Sequence, residues 1–173
     1  MEPKKILFIL PTGRFEDGIY LQTKGMLERN GCKVYGAALV KKTVFGLKTT
    51  RGVVDYAFSE VNPADFKALV LIGGIGANEF LTCEPLLELI RQANAQGVIL
   101  AAIANTPLTL AKAGVLQGKK ATLLFFEAKN LAALGGEYTG DGVTVDGNLI
   151  TGKGPEMTEK FAITILKALK GND

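Results

Sequence analysis

The chain of 173 residues contains no histidine, no tryptophan, a single serine (Ser59) and two cysteines (Cys32 and Cys83). Each scarcity removes a class of chemistry. Ser-His-Asp and Cys-His machinery requires an imidazole as general base, and none exists. Two cysteines far apart in sequence cannot build a four-ligand zinc cage. They are also too few for a disulfide framework, which suits a reducing compartment. Long apolar runs are missing too. The longest, from Val98 to Ala104, falls well short of the roughly 20 residues that span a bilayer. The N-terminal Met1-Glu2-Pro3-Lys4-Lys5 leads into a short apolar run with no small-residue cleavage site. The expected location is cytoplasmic, with no membrane partner. A strong excess of one charge is likewise absent: 20 Lys and Arg face 17 Asp and Glu, for a net charge of +3. The only basic runs are Lys4-Lys5, Lys41-Lys42 and Lys119-Lys120. That is too little for a nucleic-acid footprint, so no nucleic-acid partner is expected.

What is present suits one globular domain over residues 1–173. Apolar residues make up 47% of the chain and charged residues 21%, enough to bury a core. Lys5 to Leu10 reads as a buried strand that ends at Pro11-Thr12-Gly13. A helix is predicted from Gly18 to Asn30, stopped at Gly31, and a second strand from Lys33 to Val40. Val44 to Tyr56 alternates around Gly46 and Gly52 and reads as a hairpin or edge excursion. Asn62 to Asp65 opens a helical turn before the strand Ala68 to Ile72. A helix from Pro85 to Gln96 precedes the most apolar strand, Val98 to Ala104, expected at the centre of the sheet. Thr106-Pro107 then starts a helix, with Thr106 expected as its cap. Thr122 to Phe125, Val143 to Val145 and Asn148 to Thr151 read as strands, the last two joined by an Asp146-Gly147 turn. A C-terminal helix runs from Met157 to Leu169.

Alternating strands and helices predict a doubly wound α/β sandwich with a mostly parallel sheet. Functional sites in such sheets lie beyond the C-terminal strand ends. The relevant tips are Pro11 to Asp17, Gly73 to Asn78 and Ala104 to Thr106. Gly73, Gly74 and Gly76 form a turn able to present backbone N–H groups to an oxyanion or anion. They do not make a dinucleotide fingerprint, because the third glycine position holds Glu79. Gly147 to Lys153 approaches a phosphate-binding G-x-x-x-x-G-K loop, but Gly154 follows where Ser or Thr is needed. The carboxylates Glu16, Asp17, Glu127 and Asp141 are too dispersed to predict a metal site. Cys83 stands just before a helix, where the dipole favours a thiolate, and Cys32 reads as a small core residue.

These tips carry a resemblance to the DJ-1/PfpI (ThiJ-like) superfamily, nearest its DJ-1 branch. The first loop reads Phe15-Glu16-Asp17, and the glycine turn follows Leu69-Val70-Leu71-Ile72. The strand-to-helix elbow reads Ala102-Ile103-Ala104-Asn105-Thr106-Pro107. Ala113-Gly114-Val115-Leu116, Gly118-Lys119-Lys120 and Leu149 to Pro155 complete the match. The resemblance implies a flavodoxin-like three-layer α/β/α sandwich like that of class I glutamine amidotransferase domains. It implies a homodimer and no cofactor, and it puts Phe125, Phe126 and Glu127 where relatives build a pocket wall or dimer face, although core packing is the default expectation for them. It aligns the family's nucleophilic cysteine with Ala104, so thiol-dependent family chemistry is not expected. The residues it implies for the site are Glu16 as a candidate acid or base, Ala104 as the degenerate nucleophile position, and Gly73, Gly74, Asn105 and Thr106 for ligand binding. The leading expectation is a non-catalytic small-molecule-binding or stress-related protein. The alternatives are a thiol-independent enzyme using Glu16 on a small carbonyl substrate, of glyoxalase, deglycase or hydrolase type, and a holdase-like chaperone.

Overall fold

A computed structural model describes residues 2–171. The elements follow in the order β1 (Lys5–Ile9), α1 (Asp17–Arg29), β2 (Lys33–Ala38), β3 (Val44–Phe45), β4 (Arg51–Gly52), β5 (Tyr56–Ala57), β6 (Ala68–Leu71), α2 (Glu84–Ala95) and β7 (Ile99–Ile103). They continue as α3 (Pro107–Lys112), β8 (Lys120–Ala121), α4 (Ala128–Ala133), β9 (Glu137–Tyr138), β10 (Val143–Asp146), β11 (Leu149–Gly152) and α5 (Thr158–Gly171). Seven strands form one sheet in the order β10-β11-β7-β6-β1-β2-β5. All neighbours are parallel except the hairpin β10–β11.

The central strands are apolar at nearly every position because both sheet faces are covered. Alternate residues point to opposite faces. Leu7, Ile9, Leu69, Leu71, Leu100 and Ala102 pack with Leu86, Leu89 and Ile90 of α2 and Leu110 of α3. Ile6, Phe8, Val70, Ile99, Ala101 and Ile103 pack with Ile19 and Leu27 of α1 and with Phe161 and Ile165 of α5. Each such large side chain, fully buried, contributes about 1.5–3 kcal/mol of transfer free energy. The result is a three-layer, flavodoxin-like α/β/α sandwich with a mostly parallel sheet.

Several local expectations are revised. The middle strand is β6, and β7 lies between β6 and β11. The predicted excursion from Val44 ends earlier: β3 and β4 pair with each other, and Tyr56 starts a separate parallel edge strand beside β2. Gly36 permits this crossing, since a Cβ there would collide with the Val53 carbonyl. Thr122 to Phe125 is not a strand. Its backbone is drawn elsewhere: Thr122 N–H donates to Thr151 Oγ1 (2.9 Å), and Leu124 N–H donates to the Ala104 carbonyl (3.1 Å). The 3-10 turn Ile75–Thr82 and the short α4 had no clear periodic signal. Among the described residues, no helix is long and apolar enough to cross a membrane.

Candidate functional site

Three loops meet at the C-terminal ends of β1, β6 and β7. Their backbones are stitched together. Glu16 N–H donates to the Gly73 carbonyl (2.8 Å) and Gly76 N–H to the Arg14 carbonyl (3.1 Å). The Glu79 carboxylate accepts from the Thr12 N–H (2.9 Å) and the Thr12 hydroxyl (2.8 Å). Approach this close requires glycine. Gly74 has φ of +127°, and a Cβ there would lie 2.6 Å from the Glu16 nitrogen. The loops line an open cleft of about 410 Å³.

The elbow after β7 keeps a left-handed conformation on a residue with a side chain: Ala104 has φ of +64°. Such geometry costs a non-glycine residue roughly 1–2 kcal/mol and persists only where its surroundings over-determine it. Here Thr106 supplies much of that constraint. Its buried hydroxyl accepts from the Ile103 N–H (2.9 Å) and lies within donating reach of the Ile103 carbonyl (2.8 Å) and the Leu71 carbonyl (3.2 Å). Ala104 N–H donates to the Gly152 carbonyl (3.0 Å), fixing the elbow from the β11 side.

Asn105 turns its side-chain amide across to the glycine turn. Its Oδ1 accepts from the Gly74 N–H (3.1 Å), and its Nδ2 donates to the Gly74 carbonyl (2.9 Å) and to Asn78 Oδ1 (3.2 Å). The Gly74 N–H is therefore already taken within the chain. Glu16 holds the N-cap position of α1 without capping it through its side chain. Its carboxylate accepts no hydrogen bond from the described residues. The remaining walls are largely apolar: Ile19, Leu47, Ile75, Leu124, Phe126 and Pro155.

The model of the DJ-1/PfpI family matches residues 4–168. The chain belongs to the DJ-1/PfpI family. It is 35% identical to an uncharacterized protein of Methanocaldococcus jannaschii over 176 residues, covering 100% of this chain and 86% of that one. Deglycase PfpI of Pyrococcus furiosus is 33% identical, with 96% and 99% of the two chains covered. Among solved structures, Drosophila melanogaster DJ-1beta is 31% identical with a TM-score of 0.85, over 96% of this chain and 90% of that one. A ThiJ/PfpI domain protein from Brachyspira murdochii reaches a TM-score of 0.94 over 99% of both chains at 24% identity, a likeness of fold.

In this DJ-1/PfpI chain, Glu16, Gly74, Ala104 and Asn105 line one cleft. Gly73 and Thr106 do not. Gly73 is buried below the turn, and the Thr106 hydroxyl bonds back to the strands and makes no cap to α3. Sequence reasoning left Glu127 dispersed among the carboxylates, although the family resemblance put it near the pocket wall. The fold brings it to the same cleft as Glu16, 111 positions earlier in the chain. Leu47, carried by the β3–β4 hairpin, was missed as a lining residue because that segment has no period that shows where it folds back, whereas Asn78 closes the Gly73 to Asn78 tip expected at the site.

Both cysteines lie away from the elbow, and both are half-buried and free. Burial pushes the Cys83 thiol up, reinforced by Glu79 and Glu84, and this outweighs the backbone N–H of Leu86. The thiolate advantage expected at the start of α2 is thus overridden. Burial also raises Cys32, against a smaller opposing influence from Lys4. Cys32 lines a separate groove at the other end of the sheet.

Proposed function

We propose that this DJ-1/PfpI protein binds a small molecule in the elbow cleft and does not perform the family's thiol chemistry. The observation that carries the reading is the Asn105 bridge. Oxyanion stabilisation needs backbone donors aimed at developing charge. The turn's Gly74 N–H instead serves Asn105 at 3.1 Å. The family resemblance puts the nucleophile position on Ala104, whose methyl group has no chemistry to offer. What remains is an open, mostly apolar cleft with a few polar groups, the usual make-up of a small-molecule site.

A thiol-independent enzyme is the second reading. It is supported by the Glu16 carboxylate, which accepts no hydrogen bond from the described residues, and by the names of two relatives. One is the Pyrococcus furiosus deglycase; the other is a glutathione-independent glyoxalase of Caenorhabditis elegans, 27% identical. In this reading Glu16 moves a proton on a small carbonyl compound.

Methylglyoxal consumption separates the two. The purified protein, Glu16→Gln and Ala104→Cys are assayed side by side. The expected result is no turnover by the native protein. Turnover that disappears in Glu16→Gln overturns the binding reading in favour of the enzyme.

A homodimer belongs to the same proposal. Besides the resemblance, Leu21 on α1 and Phe45 and Val53 in and beside the β3–β4 hairpin support it. All three are more than half exposed, and the two elements touch through Asp17 and Tyr20.

A further inference from the structure

We infer that the ligand of this cleft is a cation: a primary amine or other nitrogen base carrying an apolar body. The inference rests on the binding reading above and adds the ligand's charge.

Two carboxylates, Glu16 and Glu127, line the cleft, and none of its lining residues is Lys or Arg. This holds in a chain whose overall charge is +3. Glu16 shares the cleft lining with Ala104 and has no donor among the described residues. Glu127 accepts from Asn130 Nδ2 through one oxygen (2.7 Å), and its other oxygen has no partner among the described residues. Carboxylates in a partly desolvated, apolar cleft gain most from a charged N–H donor.

Two features that would favour an anion count for less here. The Gly74 N–H is held by Asn105. The α1 N-terminus contributes about half a positive charge, less than one full carboxylate. The rim adds an aromatic face. Phe125 and Phe126 stack edge to face with centroids 5.6 Å apart, and both are largely exposed, so Phe126 can cover the ligand's apolar part or its cation. The cleft volume of about 410 Å³ accommodates an aryl ring on a short chain.

Three probes of one shape and different charge test this: 2-phenylethylamine, 2-phenylethanol and 3-phenylpropionate. Binding is followed at pH 7 through the amide resonances of Gly74 and Asn105 in the full chain. The amine is expected to bind about tenfold more tightly than the alcohol and the carboxylate more weakly than either, since a charge-assisted hydrogen bond replaces a neutral one. Glu16→Gln is expected to erase the preference for the amine, and Glu127→Gln to reduce it. The unchanged spectrum of distant residues reports that each variant is folded. Equal binding of amine and alcohol overturns the inference and leaves the binding reading standing. So does a preference that survives both substitutions. Absence of any cleft response up to millimolar probe overturns it as well. Methylglyoxal turnover by the native protein would sink the binding reading itself, whatever the probes do.

Discussion

Ala104 sits at φ of +64°, a conformation that an alanine adopts at a cost. Hydrogen bonds around it hold the turn: Thr106 below, Gly152 on one side and the Leu124 N–H on its carbonyl. These contacts use the Ala104 backbone and the Thr106 side chain, so they survive whatever side chain stands at the elbow. Replacing alanine by glycine ordinarily destabilises by roughly 0.5–1 kcal/mol through the unfolded chain. At this position the relief of the left-handed penalty is of equal or greater size. Ala104→Gly is therefore expected to raise stability by up to about 1 kcal/mol, read from the midpoint of urea unfolding. A loss of 1 kcal/mol or more would show that the elbow is not strained. The position and identity of Ala104 were legible in the sequence through the family motif. Its backbone conformation was not, and neither was the work of the Thr106 hydroxyl, because both depend on which carbonyls β6 and β7 bring within reach.

At the scale of elements, the β3–β4 hairpin is the piece that brings Leu47 to the cleft. Asp17, buried in the first turn of α1, holds it. The Asp17 Oδ1 accepts from the Lys48 N–H (2.7 Å) and Oδ2 from the Thr50 N–H (2.9 Å). Leu47 N–H donates to the Phe15 carbonyl (2.9 Å), which places Leu47 at the cleft wall. Burial pushes the Asp17 carboxyl up, but hydrogen bonds from Thr50 and the Lys48 backbone outweigh it, so the group lies below the ordinary carboxylate value. A lowered folded-state pKa means stability that is complete above the unfolded value and is lost as pH falls toward the folded one. Native protein should thus lose this contribution below about pH 4, while Asp17→Asn lacks it throughout. The substitution is expected to cost about 1–3 kcal/mol at pH 7 and to flatten the acid limb of stability against pH. Parallel acid limbs for the two proteins would show that the clamp is not ionic. Composition and spacing identified the hairpin, but not its target. A first-turn acid reads from sequence as a helix-dipole partner; only the tertiary structure shows that it reaches across to residues 46–50.

For the whole molecule, the expected homodimer is checked by sedimentation at micromolar concentration. The native protein should sediment as twice its chain mass. Leu21→Glu together with Val53→Glu should give monomer, since charges in an apolar contact are costly unless paired. A native protein that sediments only as monomer rejects the dimer. The exposed apolar residues on α1 and the β3–β4 hairpin could not be picked out from sequence. Apolar residues at those positions look the same whether they face a core or a partner.

The sequence by itself determined the architecture. Short apolar runs alternating with amphipathic segments point to strands covered on both faces, and the glycine and proline signals mark their ends. It also determined what chemistry is missing, because a side chain absent from the chain cannot be supplied by folding. Tertiary structure alone decided the character of the cleft. That character rests on the Gly74 N–H meeting Asn105, on Glu127 arriving beside the wall that Glu16 shares, and on Thr106 turning away from it. Each of these is a pairing between residues distant in the chain. Local propensity and period are blind to such pairings, since they depend on the order in which the strands assemble.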